Sequence, residues 1–317
     1  MTSLPCPGPP HPATFEDLVA EGASVPTDGW DFSWFEGRAT EARPSWGYAV
    51  SMAERLGRAS AVLDVQTGGG EVLDFALSRI TDATTVQPPD ATMVQPTDAT
   101  PGGPTTQTPG GPTIQTPGGP TTQTTAPAPA PKPPLLTVAT EGWPPNVAKA
   151  TALLRPRGAA VVAAAEDDPL PFADGAFDLV VSRHPVRPHW AEIARVLRPG
   201  GTYFAQHIGP NSVFELVEYF LGPQPDGVRS ARHPDRERAD AEAAGLDVVG
   251  LRAERLRVEF HDIGAVVHFL RKVVWMVPGF TVEAYEPRLR ELHERIRAEG
   301  PFVAHSTRHL FDARKPD

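Results

Sequence analysis

Ala61-Val62-Leu63-Asp64-Val65-Gln66-Thr67-Gly68-Gly69-Gly70-Glu71 is the stretch whose reading decides the fold. Four residues of β-strand character end in an acid, three consecutive glycines follow, and an apolar-periodic segment suited to a helix begins at Glu71. A glycine turn between strand and helix lets bare backbone N–H groups approach a ligand at the positive end of the helix. The reading is therefore a nucleotide-type cofactor site in an α/β fold. A G-x-G-x-x-G run would point to a nicotinamide dinucleotide, but the spacing here does not match it. Glu71 also stands where a pyrophosphate would have to sit, and like charges repel.

Further segments follow in an order that alternates strands and helices. Leu135 to Glu141 is a second apolar strand closed by an acid, and Ala159 to Asp168 is a third, running into Glu166, Asp167 and Asp168. Leu170-Pro171-Phe172-Ala173-Asp174-Gly175-Ala176-Phe177-Asp178-Leu179-Val180 leads into a fourth, and Arg195-Val196-Leu197-Arg198-Pro199-Gly200-Gly201 precedes a fifth. Together these motifs resemble those of class I S-adenosylmethionine (SAM)-dependent methyltransferases of the UbiE-like methyltransferase-domain type, over most of residues 40–317.

The resemblance implies a Rossmann-like α/β fold: a doubly wound seven-stranded sheet with an antiparallel last strand, under a helical lid at about 262–300. It implies SAM as cofactor and methyl transfer to a small-molecule acceptor. Gly68, Gly69 and Gly70 would face the amino-acid part, with Asp64 organising their turn. Glu141 would accept from the ribose hydroxyls, and Glu166 or Asp167 from the adenine amino group. Where the family pattern has glycine two residues after the strand-end acid, this chain has Gln66.

The arithmetic of the chain agrees with one crossover between Asp64 and Glu141. They lie 77 positions apart, whereas a βαβ site puts its ribose acid roughly 20 residues beyond the glycines. Residues 81–134 form a degenerate eight-residue repeat, with copies such as Thr100-Pro-Gly-Gly-Pro-Thr-Thr-Gln. Such a tract has too little apolar surface to offset its ordering entropy and reads as a disordered insertion. Removing its roughly 54 residues restores a spacing of about 23. The same composition, and Pro5, Pro7, Pro9, Pro10 and Pro12, mark residues 1–14 as a disordered lead-in.

Residues 15–60 read as N-terminal helices rich in aromatics, Trp30, Trp34, Phe35, Trp46 and Tyr48 among them. These either pack the helices on the sheet or pave a pocket. Residues 61–317 form the main domain around the 81–134 insertion, with Asp262 to Val274 and Val282 to Ala298 as two amphipathic helices.

Candidate chemistry beyond the cofactor falls on two histidines. His184 follows the fourth strand and His207 the fifth. Imidazole titrates near neutrality, so either could deprotonate an acceptor hydroxyl or amine, or else hold backbone in place. No spacing of His, Asp or Cys suits a metal, and Cys6 is the sole cysteine. The net charge of −10 disfavours nucleic acid and favours a neutral or cationic small molecule. A single cysteine makes a reducing cytoplasm the default expectation, and without a 20-residue apolar run the chain is expected off the membrane. The other classes considered are a non-catalytic binding protein tethered through the repeat, and an NAD-dependent oxidoreductase. The acceptor atom and oligomeric state are not legible.

Overall fold

A computed structural model describes residues 13–27, 32–85 and 132–317. Most of the expected lead-in, Trp30, and residues 86–131 of the repeat lie outside the described residues. The elements in chain order are α1 (Phe15–Ser24), β1 (Ala39–Glu41), α2 (Tyr48–Leu56), β2 (Ala61–Asp64), α3 (Glu71–Thr85), β3 (Leu136–Glu141) and α4 (Pro144–Leu154). Then come β4 (Ala160–Ala163), β5 (Phe177–Arg183), α5 (Trp190–Val196), β6 (Leu197–Ile208), α6 (Phe214–Leu221), α7 (Asp226–Arg229) and α8 (Pro234–Ala243). The chain finishes with β7 (Asp247–Phe260), α9 (Ile263–Lys272), α10 (Val282–Glu299) and β8 (Phe302–Arg314).

The strands form one sheet in the order β1-β7-β8-β6-β5-β2-β3-β4. From β6 to β4 every pairing is parallel, and β8 inserts antiparallel between β6 and β7. The expected antiparallel last strand is therefore present. The count of seven is corrected to eight, because Ala39–Glu41 adds a short antiparallel edge strand against Val258–Phe260. Three residues are too few to show a period in sequence, and it is the open edge of β7 that gives them hydrogen-bond partners.

Two layers of apolar side chains cover the sheet. On one face Tyr48, Met52, Leu56, Leu73 and Leu77 of α2 and α3 pack on Val62, Leu179, Val181 and Phe204. On the other, Ile193 of α5 and Ala241 of α8 pack on Leu63, Val180, Tyr203 and Phe311. A third cluster gathers α1, α6, α9 and α10 around the ends of β7 and β8. Here α9, expected to form part of a lid, is buried from Ile263 through His268 and again at Leu270 and Lys272. Its close crossing with α1 depends on small residues, since a Cβ on Gly22 would lie 2.3 Å from the carbonyl oxygen of Gly264. Among the described residues no helix is long and apolar enough to cross a membrane.

The insertion point follows from the parallel pairing. β2 and β3 are adjacent, with Asp64 opposite Ala139. The repeat leaves after α3 and returns at Lys132, whose N–H donates to the carbonyl of Gly57 at 3.1 Å. That contact precedes β2, at the amino ends of the parallel strands. Ligands in doubly wound folds bind beyond the carboxyl ends.

Candidate functional site

The cradle is built by the turn that leaves β2. Val65 N–H donates to the Val181 carbonyl of β5 and Thr67 N–H to the Thr140 carbonyl of β3, both at 2.9 Å. These bonds tie the turn to both neighbouring strands. Asp64 is 4% exposed and accepts from the Thr67 hydroxyl at 2.6 Å. Burial pushes its carboxyl up to about 7; the Thr67 hydrogen bond works against this, and the charge of Glu141 adds to it. Asp64 thus sits beneath the turn and fixes its first bend.

Of the three glycines, Gly68 and Gly70 adopt left-handed backbone, φ +64° and +86°. Space around them differs. A Cβ on Gly68 would meet nothing within 4 Å, so this is the open wall, whereas on Gly70 it would lie 3.0 Å from the Leu154 side chain. Gly70 therefore lets α3 start close to α4. At Gly69 the near neighbour is the Glu71 side chain.

Glu141 closes the cradle from β3. Gly68 N–H donates to its Oε2 at 2.8 Å, and the N–H groups of Gly142 and Trp143 to its Oε1 at 3.1 and 2.9 Å. A carboxylate offers about four acceptor positions, so one remains on Oε2. Accepting from two ribose hydroxyls would require Glu141 to give up one of these amides. Ala164 N–H donates to the Glu141 carbonyl at 3.0 Å, so the chain leaving β4 runs beside this turn. Glu166 and Asp167 follow immediately, both exposed. Asp167 comes within 3.8 Å of His189 Nε2.

Gln66 takes φ +58°, the region for which glycine is suited. Its side chain turns aside from the glycines. Oε1 accepts from Val186 N–H at 2.7 Å and Nε2 donates to the Arg187 carbonyl at 3.1 Å. The glutamine therefore clips the loop after β5 to the cradle.

The two histidines occupy opposite faces of the sheet. His184, also left-handed at φ +59°, lies on the α2 side, where its Nε2 is 2.9 Å from Gln206 Nε2. Trp46 Nε1 donates to Gln206 Oε1 at 2.8 Å, and an indole N–H can only donate. The glutamine amide thus donates to His184 Nε2, which leaves the ring proton on Nδ1. Burial, with Arg183 and Arg308 adding to it, holds the imidazole well below its usual pKa and hence neutral. His207 is 2% exposed, with Nδ1 2.8 Å from Glu237 Oε2 and Nε2 2.9 Å from the Tyr203 hydroxyl. It stacks on Phe311 and lies at the floor of a recess of about 620 Å³ between the β5–α5 loop and α8.

Sequence reasoning left several contributors without a specific role. Thr67 and Thr140 hold the turn, the latter also accepting from Gln66 N–H at 3.3 Å. Tyr48, flagged only as an aromatic, donates its hydroxyl to the Ser182 carbonyl at 2.9 Å and stacks on Phe204. It packs and positions at once. Trp46 does the same through Gln206. Arg183, one residue before His184, was given no role of its own. Among the described residues no group of three or more His, Cys, Asp or Glu is placed to hold a metal.

A family model described as a methyltransferase domain matches residues 119–205. That segment is similar to a methyltransferase domain. The matched span holds β3 through most of β6, with Glu141, Glu166, Asp167 and His184, and the methyl donor of this family is SAM. The glycine turn lies outside the span, separated from it by the repeat. No curated protein matches the chain. Among solved structures, a candidate methyltransferase from Bacillus halodurans is 17% identical, covering 85% of this chain and 99% of its own, with a TM-score of 0.49. A candidate sarcosine dimethylglycine methyltransferase from Galdieria sulphuraria is 14% identical, with 84% and 82% covered and a TM-score of 0.43. The [4+2]-cyclase SpnF is 17% identical, with 86% and 83% covered and a TM-score of 0.42.

The cradle fits SAM on its own geometry. Gly68 presents an open backbone wall, Glu141 keeps an acceptor position at the strand end, and Asp64 supplies buried acidity beneath the turn.

Proposed function

We propose that the protein is a class I, UbiE-like SAM-dependent methyltransferase that acts on a small-molecule acceptor in the cytoplasm. The observation that carries this is the pairing of the open Gly68 turn with Glu141 across β2 and β3, inside a chain whose 119–205 segment matches the methyltransferase domain. When bound, SAM supplies an activated methyl group on a sulfonium, open to in-line displacement. The protein's task is then alignment, which is worth roughly 7–11 kcal/mol for well-oriented reactants. In this reading Gly68 to Gly70 and Asp64 hold the amino-acid part, Glu141 the ribose, and Glu166 or Asp167 the adenine.

His184 stands nearest the acceptor side as a neutral imidazole, with its basic nitrogen engaged by Gln206. It can take a proton only after that amide turns away, so it holds the β5 loop until an acceptor displaces Gln206. His207, with both nitrogens engaged by Glu237 and Tyr203, acts on the fold rather than on the acceptor.

Isothermal titration of the full chain with SAM, and in parallel with NADH, tests the reading. Micromolar SAM binding with no NADH response is expected. Binding of NADH, or silence with both, overturns it.

A further inference from the structure

Arg183 ends β5 on the same face of the sheet as Tyr48, Gln206 and Arg308, where Arg183 pairs with Gln206 and Ile208 with Arg308 in the ladders. It is solvent-exposed, yet desolvation lowers its pKa. The guanidinium leaves the carboxyl end of β5 and remains open to solvent. Its electrostatic neighbours are Tyr48, Glu41, Glu71, Arg43 and Arg308. Both of those carboxylates are already engaged. Glu41 accepts from Arg308 and from the Ser306 hydroxyl, each at 2.5 Å, and Glu71 pairs with Lys149.

Among the described residues the Arg183 side chain has no hydrogen-bond or ion-pair partner, and it lies one residue from His184 beside the cofactor cradle. A planar fork of donors without an acceptor suits a carboxylate. Resting on the methyltransferase reading, we propose that Arg183 receives a carboxylate at this end of the sheet, borne by the methyl acceptor or by the amino-acid end of the cofactor. The need is electrostatic: a sulfonium entering beside Arg183, whose guanidinium has no counter-ion, meets a like charge, and an anion between them removes the repulsion.

The test uses the full chain, wild type and Arg183→Gln, in two arms. The first titrates S-adenosylhomocysteine and 5′-methylthioadenosine, which lacks the amino-acid part. The second titrates benzoate and benzamide into protein saturated with S-adenosylhomocysteine. If the acceptor bears the carboxylate, benzoate binds in preference to benzamide, and R183Q weakens it about tenfold or more without changing S-adenosylhomocysteine. If the cofactor bears it, S-adenosylhomocysteine weakens by a similar factor while 5′-methylthioadenosine is unchanged. Arg183→Lys restores part of either effect, and Arg236→Gln, on α8, leaves both intact.

Unchanged S-adenosylhomocysteine affinity together with no Arg183-dependent benzoate binding overturns the proposal. So does a loss of 5′-methylthioadenosine binding in parallel, which marks a structural role. Should the wild type bind neither adenosine ligand, the methyltransferase reading fails separately, and benzoate titration of the ligand-free chain still decides the carboxylate.

Discussion

Replacing Asp64 with asparagine should abolish a pH dependence of stability that this one carboxyl imposes. Buried beneath the glycine turn, Asp64 has its pKa pushed up from 3.8 to about 7. In the unfolded chain it ionises near its ordinary value of about 3.9. Below pH 4 the group is protonated in both states and costs nothing. Between about pH 4 and 7 the unfolded chain binds fewer protons than the folded one, so unfolding free energy falls as pH rises, and above 7 the loss is complete. A shift of about 3 units at about 1.4 kcal/mol each makes the full loss about 4 kcal/mol.

Asparagine keeps an oxygen for the Thr67 hydroxyl and has no charge to desolvate. Urea unfolding of both proteins from pH 4.5 to 8.5 isolates the effect as a difference. His184 and His268, whose lowered pKa values work in the opposite direction, are common to both and cancel. The variant should gain on the wild type steadily up to pH 7 and hold a constant lead beyond it. Parallel stability profiles would refute the assignment. Binding of a cation above the turn should also expel the Asp64 proton. Wild-type SAM affinity should therefore rise towards pH 7 while that of Asp64→Asn stays flat.

Glu141→Ala should weaken SAM binding more than tenfold by calorimetry, and it should also lower the melting temperature, because three backbone amides lose their acceptor. A chain with residues 88–129 deleted should bind SAM as the full chain does; loss of binding would show that the repeat is not a dispensable insertion. Glu237→Ala should cost about 3–5 kcal/mol in urea unfolding, since it strips the buried partner of His207. His207→Ala, in turn, should lower stability while leaving SAM affinity unchanged, and a selective loss of affinity would return His207 to the site.

What was legible in sequence was whatever recurs locally. The strand, acid and glycines of 61–70 and the acid closing Leu136–Glu141 carry their geometry in their own order. The excised spacing then brought Asp64 and Glu141 onto neighbouring strands, as the β2–β3 register shows. Less legible was anything that depends on a distant partner. β1 exists because β7, more than 200 residues later, offers an edge. α9 looked amphipathic because His268, Arg271 and Lys272 interrupt its apolar run, but the Gly22–Gly264 contact and the packing of α1 bury nearly all of it. Gln66 was visible as a departure, yet its bonds to Val186 and Arg187 required the β5 loop to be in place.

Arg183 shows the same limit for charge. A total of −10 argues for a neutral or cationic acceptor only if the site feels the whole surface. At physiological ionic strength charges are screened over about 8 Å, so a cleft responds to its own lining. There, Glu41 is spent on Arg308 and Glu71 on Lys149, and none of these pairings can be read from composition. The sign of the charge there follows from which side chain is left without a counter-ion, and Arg183, at the end of β5, is such a one. An acidic protein can thus hold a site for an acid, and the salt dependence of ligand binding should follow Arg183 rather than the net charge.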